Sequence, residues 1–533
     1  MSKHNRLYQI DIQKIVTPQI ATGRRSRRGI AIILVFVVVA LLALAAYGLL
    51  VAVQTDYRQS RSIADQLQLQ RVSESGQQFM SAWMQLPLAQ RALLLEGDAG
   101  QVFAQPILDT STDSPRVVGS FYIERIPSRD DAARDILQSF PDVTTDTVSV
   151  PYVDESTKLH LGTLLEWDKQ FPGSGRAALM HLPGMTPELA DAILDWIDDD
   201  SVPREFGAEQ DYYATSGSAA YPPNAVPAAL DELLNVRGMS AERLLGTAPD
   251  ALPAELLGPN ESDSVATLES SSPPESFALS PDGGEQGPWS DFLTVSSAER
   301  NLARDGRTRV FVNQVDLIAL HQAIVERMPQ PFADYVVLAR QYGVERQSAG
   351  DASPPAAMPA IDFAQPAKLP ITNLLDLVDS TVRVTVGEQV VIVPSPWTQA
   401  TGGEVGQMGW HLDQLTVNEE PRLVGRINLR EASRTVLMML PEMTDADVEL
   451  ILSRREMAPA GSDLSWLWMG TNLEFSRVRD WWPYLTTEGH VVQFRLRAQA
   501  GDSPRHIRTD VILDAAGQEP TIVFQQAVWS KRP

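Results

Sequence analysis

Arg24-Arg25-Ser26-Arg27-Arg28-Gly29, followed by Ile30-Ala31-Ile32-Ile33-Leu34, decides how the rest of this 533-residue chain is read. Seven basic side chains and one acid, Asp11, precede the join at Gly29-Ile30, and the 24 residues from Ile30 to Val53 carry no charge. At ~1.5 Å per residue, a helix of that length crosses a hydrocarbon core of ~30 Å. The basic flank predicts a cytoplasmic N-terminus, so everything after Val53 is expected outside. The run is too long for a cleaved secretory signal and ends in Val51-Ala52-Val53-Gln54-Thr55-Asp56, without a small-residue site. Two readings stay open: a plain signal anchor, or a leader of the pilin type, cut on the cytoplasmic side after Gly29 to leave Ile30 as the new N-terminus.

The residues beyond the apolar run extend the same helix. No proline occurs between Ile30 and Leu86, and Ile63, Leu67, Val72, Phe79, Met80, Trp83 and Leu86 keep an apolar stripe at helical spacing. Pro87 is the first stop. One helix of about 57 residues and ~85 Å is predicted to run from the membrane into the soluble part.

Composition narrows the functional classes. The net charge is −24, and because the first 29 residues contribute +6, the remainder carries −30. A nucleic-acid partner is disfavoured, since phosphate binding needs a basic face; divalent cations are compatible. With no cysteine there is no disulfide, iron–sulfur cluster or thiolate zinc site. The length predicts several domains. The seven histidines are scattered, and the chain has no His-Glu-x-x-His, Gly-x-Ser-x-Gly or phosphate loop, so no catalytic site is assigned.

Val117–Ile123 reads as a strand, Ala177–Leu182 and Pro187–Ile197 as helices, and Val310–Arg327 and Phe332–Tyr342 as structured. Val382–Val393 alternates in strand fashion, and 427–455 is helical again. Val491–Ala498, Ile507–Leu513 and Thr521–Trp529, separated by Gly501-Asp502 and Gly517-Gln518, predict an antiparallel meander. Residues 247–290, rich in proline, serine, glutamate and glycine, read as a disordered or surface insertion, and Ser348–Pro370 as a second such stretch. Leu182-Pro183-Gly184-Met185-Thr186 recurs as Val236-Arg237-Gly238-Met239-Ser240 and Leu440-Pro441-Glu442-Met443-Thr444, each after a helical segment. These are helix-hairpin-helix-like units; their acidic flanks favour packing over phosphate contact. These elements read as α+β, with an N-terminal transmembrane and stem helix, a helical part over 151–246 and an antiparallel meander at the C-terminal end.

Asp198, Asp199, Asp200, Glu205, Glu209 and Asp211 crowd a short loop after a predicted helix. Such a run is either a solvated loop or a site for a hard cation, which takes six to eight oxygen ligands. It is not an EF-hand, because Pro203 stands where the turn glycine belongs. Trp196 is expected in the helical core, and Trp481-Trp482-Pro483-Tyr484 either packs on the final sheet or forms an exposed aromatic patch.

Several of these motifs together resemble the type II secretion system protein K family, the large minor pseudopilins. The similarity is carried by Arg28-Gly29-Ile30, Asp154-Glu155-Ser156-Thr157-Lys158-Leu159-His160-Leu161, Leu182–Met185, Asp195-Trp196-Ile197-Asp198-Asp199-Asp200, Pro203-Arg204, Gly207–Tyr213, Leu230–Met239 and Ile427–Ala432. Leu34 holds the fifth mature position, where major pilins have a Glu and K-type proteins also lack it. His160 and Gly162 replace expected asparagines, Gln210 stands where an acid is usual, the leader is longer than typical, and 247–290 and 343–420 have no counterpart.

The resemblance implies a pilin-like sheet and this partition: leader 1–29, membrane segment 30–53, stem and start of the pilin-like domain 54–150, inserted helical domain 151–246, low-complexity insertion 247–290, structured part 291–343, linker 344–370, strand-containing insertion 371–426, second hairpin unit 427–456 and C-terminal sheet 457–533. It implies an inner-membrane, single-pass tip subunit of a secretion pseudopilus, with I- and J-type pseudopilins, the prepilin peptidase and the inner-membrane assembly as partners, and no enzymatic role. It also implies calcium, with Asp198, Asp200, Glu209 and Asp211 as candidate ligands. A permanently anchored interaction or DNA-uptake protein is the alternative, and an anchored enzyme the third.

Overall fold

The computed structural model describes residues 28–95, 102–109, 116–126, 150–217, 220–246, 287–346, 359–387, 389–399, 405–458, 463–468, 473–501 and 506–528. The leader 1–27, the insertion 247–286 and the stretch 347–358 lie outside them. The chain divides into two compact units, which meet in sequence between Gln68 and Leu69.

In the first unit, the helix Arg28–Gln85 begins, long and apolar enough to cross a membrane. The side chains from Ile33 to Val53 are exposed, as a lipid-facing surface requires. The predicted stripe is not buried along its whole length: Ile63 and Leu67 are 51% and 56% exposed, and burial starts at Val72. The difference is that apolar spacing reports a face, not what covers it.

In the second unit, residues 69–85 of that helix lie on an antiparallel sheet ordered Ala104–Asp109, Arg116–Glu124, Val491–Ala500, His506–Asp514, Thr521–Val528. The short strand Val153–Asp154 pairs with Val492 and Gln493, beyond the end of Arg116–Glu124 on the same central strand. Along Val491–Ala500 side chains alternate, as a one-sided sheet demands. Val492, Phe494, Leu496 and Ala498 point into a core shared with Met80, Trp83, Met84, Phe103 and Phe121. Arg495 and Arg497 point out and pair across strands with Asp510 and Glu124. Helix and sheet approach closely because both lack side chains at the crossing. A Cβ on Gly76 would sit 2.5 Å from Leu496 Cδ1, and one on Gly119 2.5 Å from Val72 Cγ2.

The sheet's strands come from both ends of the second unit, and a helical body occupies the sequence between them. One apolar cluster runs from Leu159 to Leu485 and takes in helices Leu161–Gln170, Pro187–Ile197, Leu317–Val325, Gln330–Tyr342 and Asp445–Met457. The segments divided in sequence at 246, 343 and 426 thus contribute to one core. Helical turns at Leu464–Leu467 and Phe475–Trp481 also join it, and the sheet resumes only at Val491. Trp481 is buried here, with Nε1 donating to Pro441 O at 2.8 Å, and Trp482 meets Trp468. The aromatic run therefore packs in the helical body, not on the final sheet.

The run 382–393 is two strands, Ser380–Val386 and Gln389–Pro394, because Gly387 takes φ +64° and turns the chain back. Residues 359–370, expected as linker, form a strap: Gln341 Nε2 donates to Asp362 O and Gln365 O, and Arg340 O accepts from the Lys368 and Leu369 N–H groups.

The repeated pentapeptides are three copies of one turn. Met185, Met239 and Met443 each donate N–H to the carbonyl three residues back, at 3.1, 3.0 and 3.1 Å. Gly184, Gly238 and Glu442 hold positive φ of 66°, 80° and 58°. Thr186, Ser240 and Thr444 cap the following helices. The first and third copies share more. Trp289 Nε1 binds Pro183 O as Trp481 does Pro441 O. The ion pair Arg176–Asp191 has its counterpart, at the same spacing from the turn, in Arg434–Glu449.

Candidate cation site and the body–sheet junction

The helix Pro187–Ile197 starts at the Thr186 cap with proline in its first turn and ends at Asp198, whose N–H still bonds Leu194 O. The chain then folds back on itself. Asp195, fully buried, accepts from the Arg204 backbone N–H at 3.2 Å and from Arg204 Nη1 at 2.9 Å. A Cβ on Gly207 would lie 1.7 Å from Asp195 Oδ2, so the fold-back needs glycine there. Glu209 then caps the helix Gln210–Ser216 through Oε2 to the Gln210 N–H.

This fold-back brings Asp198, Asp200 and Glu209 together, one carboxylate oxygen from each lying within 4.8 Å of the others. Asp211, the fourth predicted ligand, stands apart in the exposed first turn of the next helix, and Gln210 faces solvent. Asp198 and Glu209 are each 5% exposed, yet Asp198 Oδ1 and Glu209 Oε1 have no hydrogen-bond partner among the described residues. A buried carboxylate oxygen without a donor is costly. Burial pushes the Asp198 carboxyl up from its ordinary value, the Arg204 guanidinium pulls it down, and Asp200 and Asp195 push it up again. Burial likewise raises Glu209, against its bond to the Gln210 N–H and with the neighbouring aspartates. A divalent cation of the oxygen-seeking kind would supply what these two oxygens lack, and the donor set of Asp198, Asp200 and Glu209 fits one.

A second constellation, not assigned from sequence, joins the helical body to the sheet. Asp154 Oδ1 accepts from the Ser156 N–H at 2.8 Å, and its Oδ2 from Asn428 Nδ2 at 2.9 Å and the Gly489 N–H at 2.8 Å. Next to it, Glu155 bonds Lys158 Nζ at 2.8 Å and Thr294 Oγ1 at 2.6 Å. Glu299 is held between Arg426 and Arg309; burial opposes its charge, but the two guanidiniums outweigh that and keep its carboxyl below the ordinary value. Arg422–Asp514 and Arg300 Nε to Ala515 O, both 2.8 Å, complete the junction. The motifs at 154–158 and 427–432 were each a sequence signal; that Asn428 meets Asp154 across 274 residues was not.

His160, which replaces an expected asparagine, does an asparagine's work. It caps the helix Leu161–Gln170, Nδ1 accepting from the Gly162 N–H at 3.0 Å, while Nε2 lies 3.0 Å from Val295 O. This geometry places the proton on Nε2. Burial, aided by Arg422 and opposed by the Val295 bond, lowers its pKa to about 4. The folded pKa lies below the unfolded one, so stability is full above about pH 6.5 and falls as pH drops toward 4. His160→Asn is expected to match the parent near neutral pH and to recover up to about 3 kcal/mol at the acid end, read by urea unfolding across that range.

Compared with known proteins, residues 175–249 match the family model described as type II secretion system protein K, first domain. A search of curated proteins finds no match. Among solved structures, a chain of the GspK–GspI–GspJ complex from the enterotoxigenic Escherichia coli type 2 secretion system aligns over 89% of this chain and 100% of its own. The alignment has a TM-score of 0.36 and 10% identity.

Proposed function

We propose, from a protein K domain at residues 175–249, that the chain is a minor pseudopilin of a type II secretion system and the tip subunit of its pseudopilus. That match carries the reading, and the architecture supports it. An apolar helix long enough to span a membrane leads into an antiparallel sheet, and a bulky helical body interrupts that sheet. A body of that size would block addition of further subunits above it. Leu34 fits a tip position, where no neighbour's N-terminus waits for a carboxylate. The three hairpins serve as helix-hairpin-helix-like packing units, and the work of the chain is assembly, not catalysis. Its partners are I- and J-type pseudopilins, the prepilin peptidase and the inner-membrane assembly. The protein sits in the inner membrane with its N-terminus cytoplasmic and its bulk outside. Calcium, held by Asp198, Asp200 and Glu209, staples the fold-back loop of a chain without disulfides.

The mature N-terminus tests this reading. Mass spectrometry on membranes is expected to find Ile30 as first residue only where the prepilin peptidase is present, and Gly29→Leu is expected to abolish the cut. An intact leader in both strains would leave a permanently anchored protein and end the pseudopilin reading.

A further inference from the structure

The fold-back loop gathers more negative charge than its three candidate ligands. Arg204 meets Asp168 Oδ2 at 3.3 Å through Nη2, Asp195 Oδ1 at 2.9 Å through Nη1, and Asp198 Oδ2 through the same Nη1. The three carboxylate side chains are 18%, 0% and 7% exposed. Buried carboxylates this close repel one another unless a cation sits among them. Arg204 does that at Asp198 Oδ2, while Oδ1 of the same carboxylate has no hydrogen-bond partner among the described residues and Asp198 also belongs to the group with Asp200 and Glu209. Asp198 is therefore shared between two cation positions, one filled by a side chain.

We infer that Arg204 is a resident counter-ion: it keeps the loop assembled when no calcium is present and leaves Asp198 only one oxygen for the metal. This rests on the cation-site reading above. An arginine is suited to the part because its planar fork reaches several carboxylates at once and its charge does not depend on pH. A site prepaid in this way binds calcium without first ordering its loop, and Asp198 ligates through Oδ1 alone. Removing Arg204 makes the loop's order depend on calcium.

Amide exchange over residues 198–213 of the full-length protein in detergent tests this, in EGTA and in millimolar calcium chloride. The parent loop is expected to be protected in EGTA and slowed further by calcium. Arg204→Gln is expected to exchange at least about tenfold faster in EGTA and to return close to the parent in calcium. Unchanged exchange in Val491–Ala500 shows that the fold is kept. If the glutamine variant does not fold, Arg204→Lys, which keeps one charge but loses the fork, is expected to show a smaller acceleration that calcium also erases. Parent-like exchange of the variant in EGTA overturns the inference. So does an acceleration that persists in calcium while the parent still responds, which is the behaviour of an ordinary ion pair. A parent that ignores calcium overturns the cation site itself, and the role assigned to Arg204 falls with it.

Discussion

Asp154→Ala is expected to lower the stability of the unit that begins at Leu69 by about 3–5 kcal/mol. The side chain is 7% exposed and receives three donors, the Ser156 and Gly489 N–H groups and Asn428 Nδ2. Each buried donor left without an acceptor costs about 1–3 kcal/mol, and relaxation returns part of that. A Cβ on Gly489 would lie 2.1 Å from Asp154 Oδ1, so the Gly489 backbone and the carboxylate are in close contact. Asp154→Asn keeps an acceptor but turns an amide toward a donor, and its expected loss is smaller, about 1–3 kcal/mol. Chemical unfolding followed by tryptophan fluorescence measures both. An alanine variant within about 1 kcal/mol of the parent would mean that the junction is wet and that Arg422–Asp514 and Arg300 hold the body to the sheet without it.

If the proposed cation site is real, calcium at a hundredfold excess over its dissociation constant is expected to raise the melting temperature of the full-length protein by about 5 °C. The basis is mass action, about 2.7 kcal/mol at that excess, converted at about 2 °C per kcal/mol for a large cooperative unit. Glu209→Gln is expected to abolish the increment. The substitution keeps an oxygen for the Gln210 N–H, so the helix cap survives while the charge facing Asp198 and Asp200 is lost. Asp211→Asn is expected to leave the increment intact, since Asp211 stands outside the converging group. Magnesium is expected to act more weakly, because it demands near-ideal octahedral geometry and sheds water reluctantly. Differential scanning calorimetry of the parent and both variants, with and without calcium, decides the matter: equal increments in the parent and Glu209→Gln would remove these residues from the site.

The long helix, the strand at 117–123 and the three C-terminal strands were legible because each depends on local periodicity and turn residues. The pentapeptide repeat was legible for a similar reason: a positive-φ residue followed by a capping hydroxyl is a local device. Even so, Glu442 shows that the turn tolerates a residue other than glycine. What stayed hidden is long-range. No local pattern announces that Asn428 will meet Asp154, or that Val153 will continue the edge occupied by Glu124. Asp211 illustrates the same limit at short range. It carries the right chemistry two residues from Glu209, but helical geometry from Gln210 onward turns it elsewhere.

The division of the sheet has a consequence for biogenesis. The apolar face of Val72, Met80, Trp83 and Met84 is synthesised early, and its partners Val492, Phe494 and Leu496 come some four hundred residues later. At ribosomal speeds of about 5–20 residues per second, that interval is on the order of tens of seconds. During it, Phe103 and Phe121 from the early part of the sheet cover some of that helix face, and the part that Val492, Phe494 and Leu496 will cover stays open. The helical body, whose apolar core is complete at Leu485, is able to fold first and to bring the two halves of the sheet within reach of each other. Closure of the sheet is then the last event of synthesis.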